Sequence, residues 1–402
     1  MLLGFGVDLV VHEQARHLQG LGHDVRVFTA KADHRMERSY DLHVLSEVVP
    51  GFYDYTSRSA IRSFLKSRLA SDVDIWILHT PPFYAWVADI EAPVVFVEHG
   101  SPPGHLFDNG TAYHLWRLMH AHHAEDYGRL RSGDAILSIS KYIENTLPEE
   151  VRAYSTVLHH GADHYRRAHL GERLRFRFEH GVGHDDVLIL WVGRMQFDLD
   201  EQPYKGFQSL LEMLPSIKRL REDIKIALLG KVSEEDAARL ARMGVIVLPN
   251  VPAGMMGTAY AAADVLLNLS QWEGFNLALV ESQFQGTPCV AYNVGPHAEV
   301  TAPGRSALLV SNADEVLPAL KSLVSNAALR SEMRDHALAF VKAFRWEENA
   351  RSLESLLVQS MHRARGGRRR PRSEWGLLRV PVPSRCDQSG QAFVPVIDWA
   401  PV

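Results

Sequence analysis

Two carboxylates and two cations in this chain have the types and spacing to do chemistry. Glu273 stands in a short polar loop, Gln271-Trp272-Glu273-Gly274, and Glu281 follows eight positions later inside an apolar helical pattern. The amides of Gly274, Phe275 and Asn276 fall where that helix starts. A helix start attracts anions, because its first N–H groups lack intrahelical acceptors and the peptide dipoles add there. Arg194 and Lys205 lie on a loop that follows a buried apolar run and precedes a long amphipathic stretch. A planar guanidinium fork and a mobile ammonium together suit a diphosphate, and carboxylates beside it can accept bonds from ligand hydroxyls without a metal ion. Taken alone, the same residues also describe a solvated helix with two ordinary acids and two exposed bases, so the surrounding elements decide the weight of the pattern.

Those elements follow one order. Val265 to Leu269 is a short apolar strand, and Phe275, Leu277, Leu279, Val280 and Phe284 supply the apolar positions of a helix that stops at Gly286. Cys289-Val290-Ala291 is a second buried strand, and Gly295-Pro296 opens the next helix. Strand, loop, helix, strand is the unit of a parallel α/β sheet, and such sheets hold ligands outside the carboxyl ends of their strands. The rhythm extends through the chain. In the first half the pattern predicts strands over Asp24–Thr29, Leu42–Val49, Asp74–His79, Pro93–Glu98, Asp134–Ser140 and Thr156–His159. Between them it predicts helices over Val7–Gln19, Ser57–Leu69 and Phe83–Ile90. In the second half the strands are Val187–Val192, Ile224–Leu229 and Val245–Leu248, followed by those already named, and the closing helices are Asp314–Ser325, Ala327–Phe344 and Glu347–His362.

The segment EGFNLALVESQFQGTPCVAYNVG resembles the donor-site signature of the retaining glycosyltransferases of family four, through the paired acids, the Gly-Phe-Asn after the first, and the Gly-Thr-Pro-Cys-Val strand. The resemblance covers residues 4 to 362 and implies a GT-B fold, two Rossmann-like parallel-sheet domains facing across a cleft. It implies that Glu273 contacts the transferred sugar, that Glu281 holds the nucleotide ribose, and that Gly193-Arg194 with Lys205-Gly206 clamps the diphosphate. His99, in the His99-Gly100 turn, would face the cleft and help hold the donor sugar. Gly6, in Gly4-Phe5-Gly6, would approach the donor phosphate, and Val251 would line the base pocket. The catalytic set is then Glu273, His99, Arg194 and Lys205. The donor-binding set is Gly6, Arg194, Lys205, Val251, Glu273, Gly274, Phe275, Asn276, Leu277 and Glu281. The implied activity is metal-independent hexosyl transfer from a nucleoside-diphosphate sugar, a substrate rather than a cofactor, to a carbohydrate or lipid-linked acceptor in polysaccharide or glycolipid assembly. Ser138-Ile139-Ser140-Lys141-Tyr142 resembles the family's strand-to-helix turn, with Ser140 as cap. His159-His160-Gly161-Ala162-Asp163 resembles its N-G-V-D turn, with His160 in place of the asparagine. Two other readings stay open: a non-catalytic or truncated nucleotide-sugar-binding protein of the same fold, and a nucleotide-sugar epimerase.

Length and composition set the outer bounds. A chain of 402 residues is long for one core, so two domains are expected. We place them at 1–165 (acceptor side) and 184–345 (nucleotide-sugar side), joined by an Arg-rich linker over Tyr165–Gly183. A helix over 346–362 packs back on the first domain and a basic, disordered tail fills 363–402. Only Met1-Leu2-Leu3 precede the glycine turn, too few for a central strand, which leaves two readings: the first domain lacks its first strand, or another element fills that place. A net charge of -5 gives no general attraction to nucleic acid. Cys289 reads as a strand residue and Cys386 lies in the tail, so no disulfide framework is indicated and a cytoplasmic setting is expected. No apolar run has the length of a membrane span, and MLLGFGVDLVV lacks the basic start of a signal peptide. The run Arg363–Arg372 has two readings, a solvated tail or a peripheral contact with an anionic inner membrane face. Tyr113–Tyr127 reads as a helix carrying His114, His120, His122 and His123, with no acidic or cysteine partner set at ligand spacing, so a solvated or interdomain helix is expected rather than a metal site.

Overall fold

The structure, a computed structural model, describes residues 6–32, 37–45, 63–79, 83–107, 127–198 and 202–366. The second half is built on a six-stranded parallel sheet. Its strands are β7 (Val187–Val192), β8 (Ile224–Gly230), β9 (Ile246–Pro249), β10 (Val265–Asn268), β11 (Cys289–Tyr292) and β12 (Ala307–Val310), in the spatial order β12-β11-β10-β7-β8-β9. Its central strands are buried almost throughout, as expected where helices cover both faces of a parallel sheet. From β7 the chain builds outward through β8 and β9, then returns to place β10 on the other side of β7. The sequence order therefore reverses between β7 and β10, and the crevice at their carboxyl ends is where a sheet of this kind leaves room for a ligand.

The first half holds a four-stranded parallel sheet, β3-β4-β5-β6, formed by Trp76–His79, Val94–Glu98, Ala135–Ser138 and Ser155–Val157. All five residues of β4 are buried. A separate parallel pair, β1 (Arg26–Thr29) and β2 (Asp41–Val44), follows helix α1 (Val7–Gly20). Residues 1–5, on which the expectation of a missing first strand turns, lie outside the described residues. So do the helix over 113–127 apart from Tyr127, the end of the Leu42–Val49 strand, the start of the Ser57–Leu69 helix, and the tail beyond Gly366. Among the described residues no helix is long and apolar enough to cross a membrane.

Four expectations change on the structure. The Arg-rich stretch 165–183 is more than a linker, because it contains a ten-residue helix, Leu170–Glu179. The Glu172 side chain returns to the His169 backbone and starts that helix. Its buried Arg177 donates to the carbonyls of Ala262 (3.0 Å) and Gly183 (3.0 Å) and pairs with Asp264 at 2.9 Å. A guanidinium with this many fixed acceptors is a structural anchor, although its neighbours in sequence read as a solvated run. Second, Gly295-Pro296 opens a single turn rather than a helix: Val300 N reaches Pro296 O at 3.0 Å, and Pro303 and Gly304 (φ 72°) stop the chain from continuing. Third, a strand not expected from the sequence, β12, joins the sheet: Ala307–Val310 is a four-residue apolar run bounded by Pro303-Gly304 and Ser311-Asn312. Fourth, the Phe83–Ile90 segment is a 3₁₀ helix over Phe83–Ala88.

The remaining helices include α2 (Lys141–Thr146), α3 (Leu170–Glu179), α4 (Phe207–Lys218), α5 (Glu234–Arg242), α6 (Ala253–Ala262), α7 (Leu277–Phe284), α8 (Ala313–Val324), α9 (Ala327–Phe340) and α10 (Trp346–Gly366). Helix α10 lies across α1, with Gln14 Nε2 bonded to Asn349 Oδ1 (3.3 Å) and His23 to Glu354 (2.7 Å). The halves also meet at the carboxylate of Glu299, which accepts the Lys141 and Tyr142 amides, each at 2.7 Å. Arg177→Ala leaves Asp264 partly buried without its counter-ion, so urea unfolding should register a loss of about 3–5 kcal/mol. A loss under about 1 kcal/mol would reduce Arg177 to a surface contact.

Candidate active site

The site forms where the loop after β10 meets the loop after β7. Asn268 Oδ1 accepts the Ser270 amide at 3.2 Å and turns the chain out of the sheet. Gln271 N then donates to Tyr204 O at 2.7 Å, so the β10 loop is tied to the short 3₁₀ turn Pro203–Lys205. That bond brings Lys205 beside Glu273, with Nζ 2.9 Å from Oε1 and 2.8 Å from Oε2. Gly206 makes the approach possible. Its φ is 79°, and a Cβ there would lie 2.1 Å from the Leu269 carbonyl oxygen. The carboxylate of Glu273 is buried and its ammonium partner half-buried.

The first half closes against the same loop. A Cβ on Gly274 would lie 2.2 Å from the His99 carbonyl oxygen, so that backbone packs directly on the loop. Ser140 Oγ donates to Gly274 O at 2.8 Å and accepts the Ile143 amide at 3.1 Å, serving α2 as cap and the opposite half as a partner. Phe275 is buried among His159, His160 and Phe344. Asn276 takes a left-handed conformation (φ 70°) as the residue before α7, and its Nδ2 donates to His297 Nε2 at 2.8 Å. Nε2 being an acceptor, His297 carries its proton on Nδ1 and donates to Tyr292 O at 2.6 Å. Burial lowers the pKa of His297, against the opposing pull of Glu273. Leu277, the first residue of α7, is half-buried.

Glu281 is the fifth residue of α7, and both its oxygens are held. Tyr260 OH donates to Oε2 at 2.6 Å and His164 Nε2 lies 2.9 Å from Oε1. Trp346 Nε1 donates to His164 Nδ1 at 3.0 Å, which leaves the histidine proton on Nε2, facing the carboxylate. Burial first, then Glu281, raises the Tyr260 pKa well above its ordinary value, so the phenol keeps the proton it donates. The C-terminal helix, the turn after β6 and α6 therefore converge on one carboxylate.

His99 contributes differently. Its ring is bonded to His79 (Nε2 to Nδ1, 3.2 Å) and lies 5.8 Å, centroid to centroid, from His160. Burial lowers the pKa of all three, that of His99 to about 4. Among the described residues the two buried ring nitrogens of His160 have no hydrogen-bond partner, and its ring stacks on Trp346 at 5.7 Å. Arg194 follows β7 and is half-buried, but the described contacts bind Glu273 to Lys205 and not to Arg194. Gly6 is exposed at the start of α1 with φ 55°, and Val251 is half-buried after β9. No described contact joins either to Glu273 or Glu281. Among the described residues no three His, Cys, Asp or Glu side chains converge in a geometry that could hold a metal ion.

Four residues of the site, His164, Tyr260, His79 and His297, carry no motif that marks them in the sequence. No spacing rule links His164 to Glu281 across 117 residues, or Trp346 to His164 across 182. The turn His160-Gly161-Ala162-Asp163-His164 holds the only local hint, since Asp163 accepts the Trp346 amide at 2.9 Å.

Residues 6–166 match the family model described as Glycosyltransferase Family 4, and residues 186–326 match that of glycosyl transferases group 1. A D-inositol 3-phosphate glycosyltransferase of Streptomyces avermitilis is 24% identical over 92% of this chain and 86% of its own length. The protein of that name from Geodermatophilus obscurus is 31% identical over 54% of this chain and 52% of its own. Sucrose-phosphate synthase from Thermosynechococcus elongatus superposes with a TM-score of 0.71 at 18% identity, covering 88% of this chain and 93% of its own. HepE of Anabaena, solved with UDP and glucose, gives 0.70 at 14% identity, covering 88% and 96%. Two parallel-sheet units with a site built where they meet are the GT-B fold, and the two family models that match are both of glycosyltransferases. The chain belongs to glycosyltransferase family four.

The buried histidines give the site a pH signature. In the unfolded chain each titrates near 6.5, whereas burial holds His79, His99 and His160 lower, His99 at about 4. The unfolded state then binds more protons between those values, so stability is full above about pH 6.5 and falls as pH drops toward 4. Urea midpoints measured from about pH 7 to 4.5 should decline, by about 1.4 kcal/mol per pH unit for each proton taken up. His99→Gln should flatten the decline, and an equally steep profile in that variant would remove His99 from the cause.

Proposed function

We propose that this glycosyltransferase is a retaining, metal-independent hexosyltransferase. It moves a sugar from a nucleoside-diphosphate sugar to a hydroxyl of a carbohydrate or lipid-linked acceptor, in the cytoplasm, in polysaccharide or glycolipid assembly. The observation that carries the reading is the bidentate Lys205–Glu273 pair beside the start of α7, at the strand-order reversal, with Glu281 held one helical turn further on. HepE, solved with UDP and glucose, has the same fold, and the curated relatives are named D-inositol 3-phosphate glycosyltransferases.

In this reading the donor diphosphate rests at the amino end of α7, where backbone N–H groups and the helix dipole favour it. Lys205 turns part of its charge from Glu273 to the phosphate, which frees carboxylate lone pairs for sugar hydroxyls. Arg194 supplies a second cation from the neighbouring loop. Charge that grows on the departing diphosphate is then stabilised by groups already in place, the condition under which electrostatic catalysis is strongest. Glu281 accepts from the ribose hydroxyls while Tyr260 and His164 fix its orientation. The acceptor attacks from the face that the leaving group vacates, a phosphate oxygen takes its proton, and configuration is retained. A covalent glycosyl–enzyme would draw on two carboxylates flanking the scissile bond, and the second acid here, Glu281, is held by Tyr260 and His164 at the ribose instead. Closure of the first half over Gly274 excludes water that would otherwise hydrolyse the donor.

Lys205→Ala should lower kcat/KM by about 10²–10³-fold, the usual cost of removing a group aimed at the reacting charge, and Glu281→Ala by about 10–10²-fold through lost bonds to the ribose. Turnover equal to wild type in either variant removes that residue from the mechanism. Transfer should persist in EDTA, and a strict requirement for added divalent ion would contradict the metal-free scheme. A thermal-shift series with UDP-, GDP- and ADP-sugars identifies the donor, because a ligand that binds the native state raises Tm. Donor binding without transfer to any acceptor would return the non-catalytic reading.

A further inference from the structure

Eight large apolar side chains are exposed among the described residues, and three of them form one stripe. Leu170, Leu174 and Phe178 recur every fourth residue along α3 and are 67%, 49% and 84% exposed. The other face of the helix is committed, with Phe176 and Arg177 buried toward α6. A single exposed leucine needs no explanation, but a row of three on one face calls for a partner.

Beside the stripe lies a cavity of about 200 Å³ lined by Arg173 of the same helix, Asp264, Gly286, and Arg330 and Arg334 of α9. The side chains of Arg173 and Arg334 make no hydrogen bond or ion pair with another described residue, and burial first, then Arg334, lowers the pKa of Arg173 while Asp264 raises it. Arg330 uses one nitrogen for the carbonyls of Leu323 (2.7 Å) and Val324 (3.2 Å). Asp264, the acid in the lining, is already engaged by Arg177 (2.9 Å) and by the Leu188 amide (2.8 Å). Three half-buried guanidinium groups therefore share one opening with a single carboxylate that Arg177 already holds. The acids of α3, Glu172 and Glu179, sit about half a turn away from the apolar row.

We propose that α3 is a bilayer-docking helix, with Leu170, Leu174 and Phe178 entering the acyl boundary of an anionic leaflet and Arg173, Arg330 and Arg334 taking a lipid headgroup phosphate. An apolar row flanked by arginines is the composition of helices that lie in a membrane interface. The cavity falls below the roughly 300–1,000 Å³ of pockets that enclose a whole small molecule, and it suits one phosphate group. A second copy of the chain is the rival occupant. Three side chains on a ten-residue helix supply far less than the ~800 Å² per partner of a stable interface, and pairing the face with itself would bring its arginines together. The proposal is independent of the donor chemistry above.

Co-sedimentation of the full chain with vesicles of phosphatidylcholine, with and without phosphatidylglycerol, tests it. The wild-type chain should bind the anionic vesicles. Phe178→Ser and Leu174→Ser should each weaken that binding by about tenfold or more, the value of burying such a side chain. Arg173→Gln/Arg334→Gln should lose roughly fivefold per arginine on anionic vesicles and nothing on neutral ones. All four positions are exposed or half-buried, and unchanged circular dichroism checks that each variant folds. Binding that survives in both the serine and glutamine variants overturns the proposal and moves the contact to residues beyond Gly366. Failure of the wild type to bind overturns it as well. A rise in Tm with inorganic phosphate but no sedimentation assigns the cavity to a soluble anion instead, and a dimer abolished by Phe178→Ser assigns the stripe to self-association.

Discussion

At Gly206 an added Cβ would fall 2.1 Å from the Leu269 carbonyl, and at Gly274 it would fall 2.2 Å from that of His99. These two approaches of backbone to backbone, open only to a residue without a side chain, decide where the charges of the site meet. The first presses the loop after β7 onto the loop after β10 and sets Lys205 against both oxygens of Glu273. The second presses the first half of the molecule onto the same few residues. The sheet adds the larger constraint, because the reversal of strand order between β7 and β10 opens the crevice into which both loops turn.

Around this contact the polar groups are held from several distant segments. Glu281 is oriented by α6 through Tyr260 and by the turn after β6 through His164, whose tautomer is set by Trp346 at the head of α10. A carboxylate with both oxygens already accepting keeps one lone pair on each for a ligand and loses its freedom to rotate, which is how a binding site gains precision. His297 does the same for Asn276. The halves are further joined by Glu299, which accepts the first two amides of α2, and by Ser140 on Gly274. Displacement of one half from the other breaks several of these bonds together, so the arrangement favours one closed geometry.

The fold is legible in the sequence to the extent that its signals are local. Apolar runs of four to six residues between helical patterns give β7, β8 and β10 close to their observed limits, and Ser140 is readable as a cap because capping acts over three residues. Elsewhere a local signal points the wrong way. The arginines of 165–183 have the composition of a solvated linker, yet Arg177 is buried because four acceptors from different segments surround it. Gly295-Pro296 carries the composition of a helix start, and Pro303 with Gly304 cuts that helix to a single turn.

What the sequence determined by itself is the chemical inventory and its order: two acids eight apart at a helix start, a basic pair after a strand, and a glycine turn with a histidine at the end of another. These depend on residue type and short spacing, which one strand, loop and helix suffice to express. Only the tertiary structure decided which of them touch. Lys205 rather than Arg194 holds Glu273, across 68 residues, and His164 reaches Glu281 across 117. Such contacts are set by strand order and by the room left where a glycine stands, and neither quantity is carried by the neighbours of a residue along the chain.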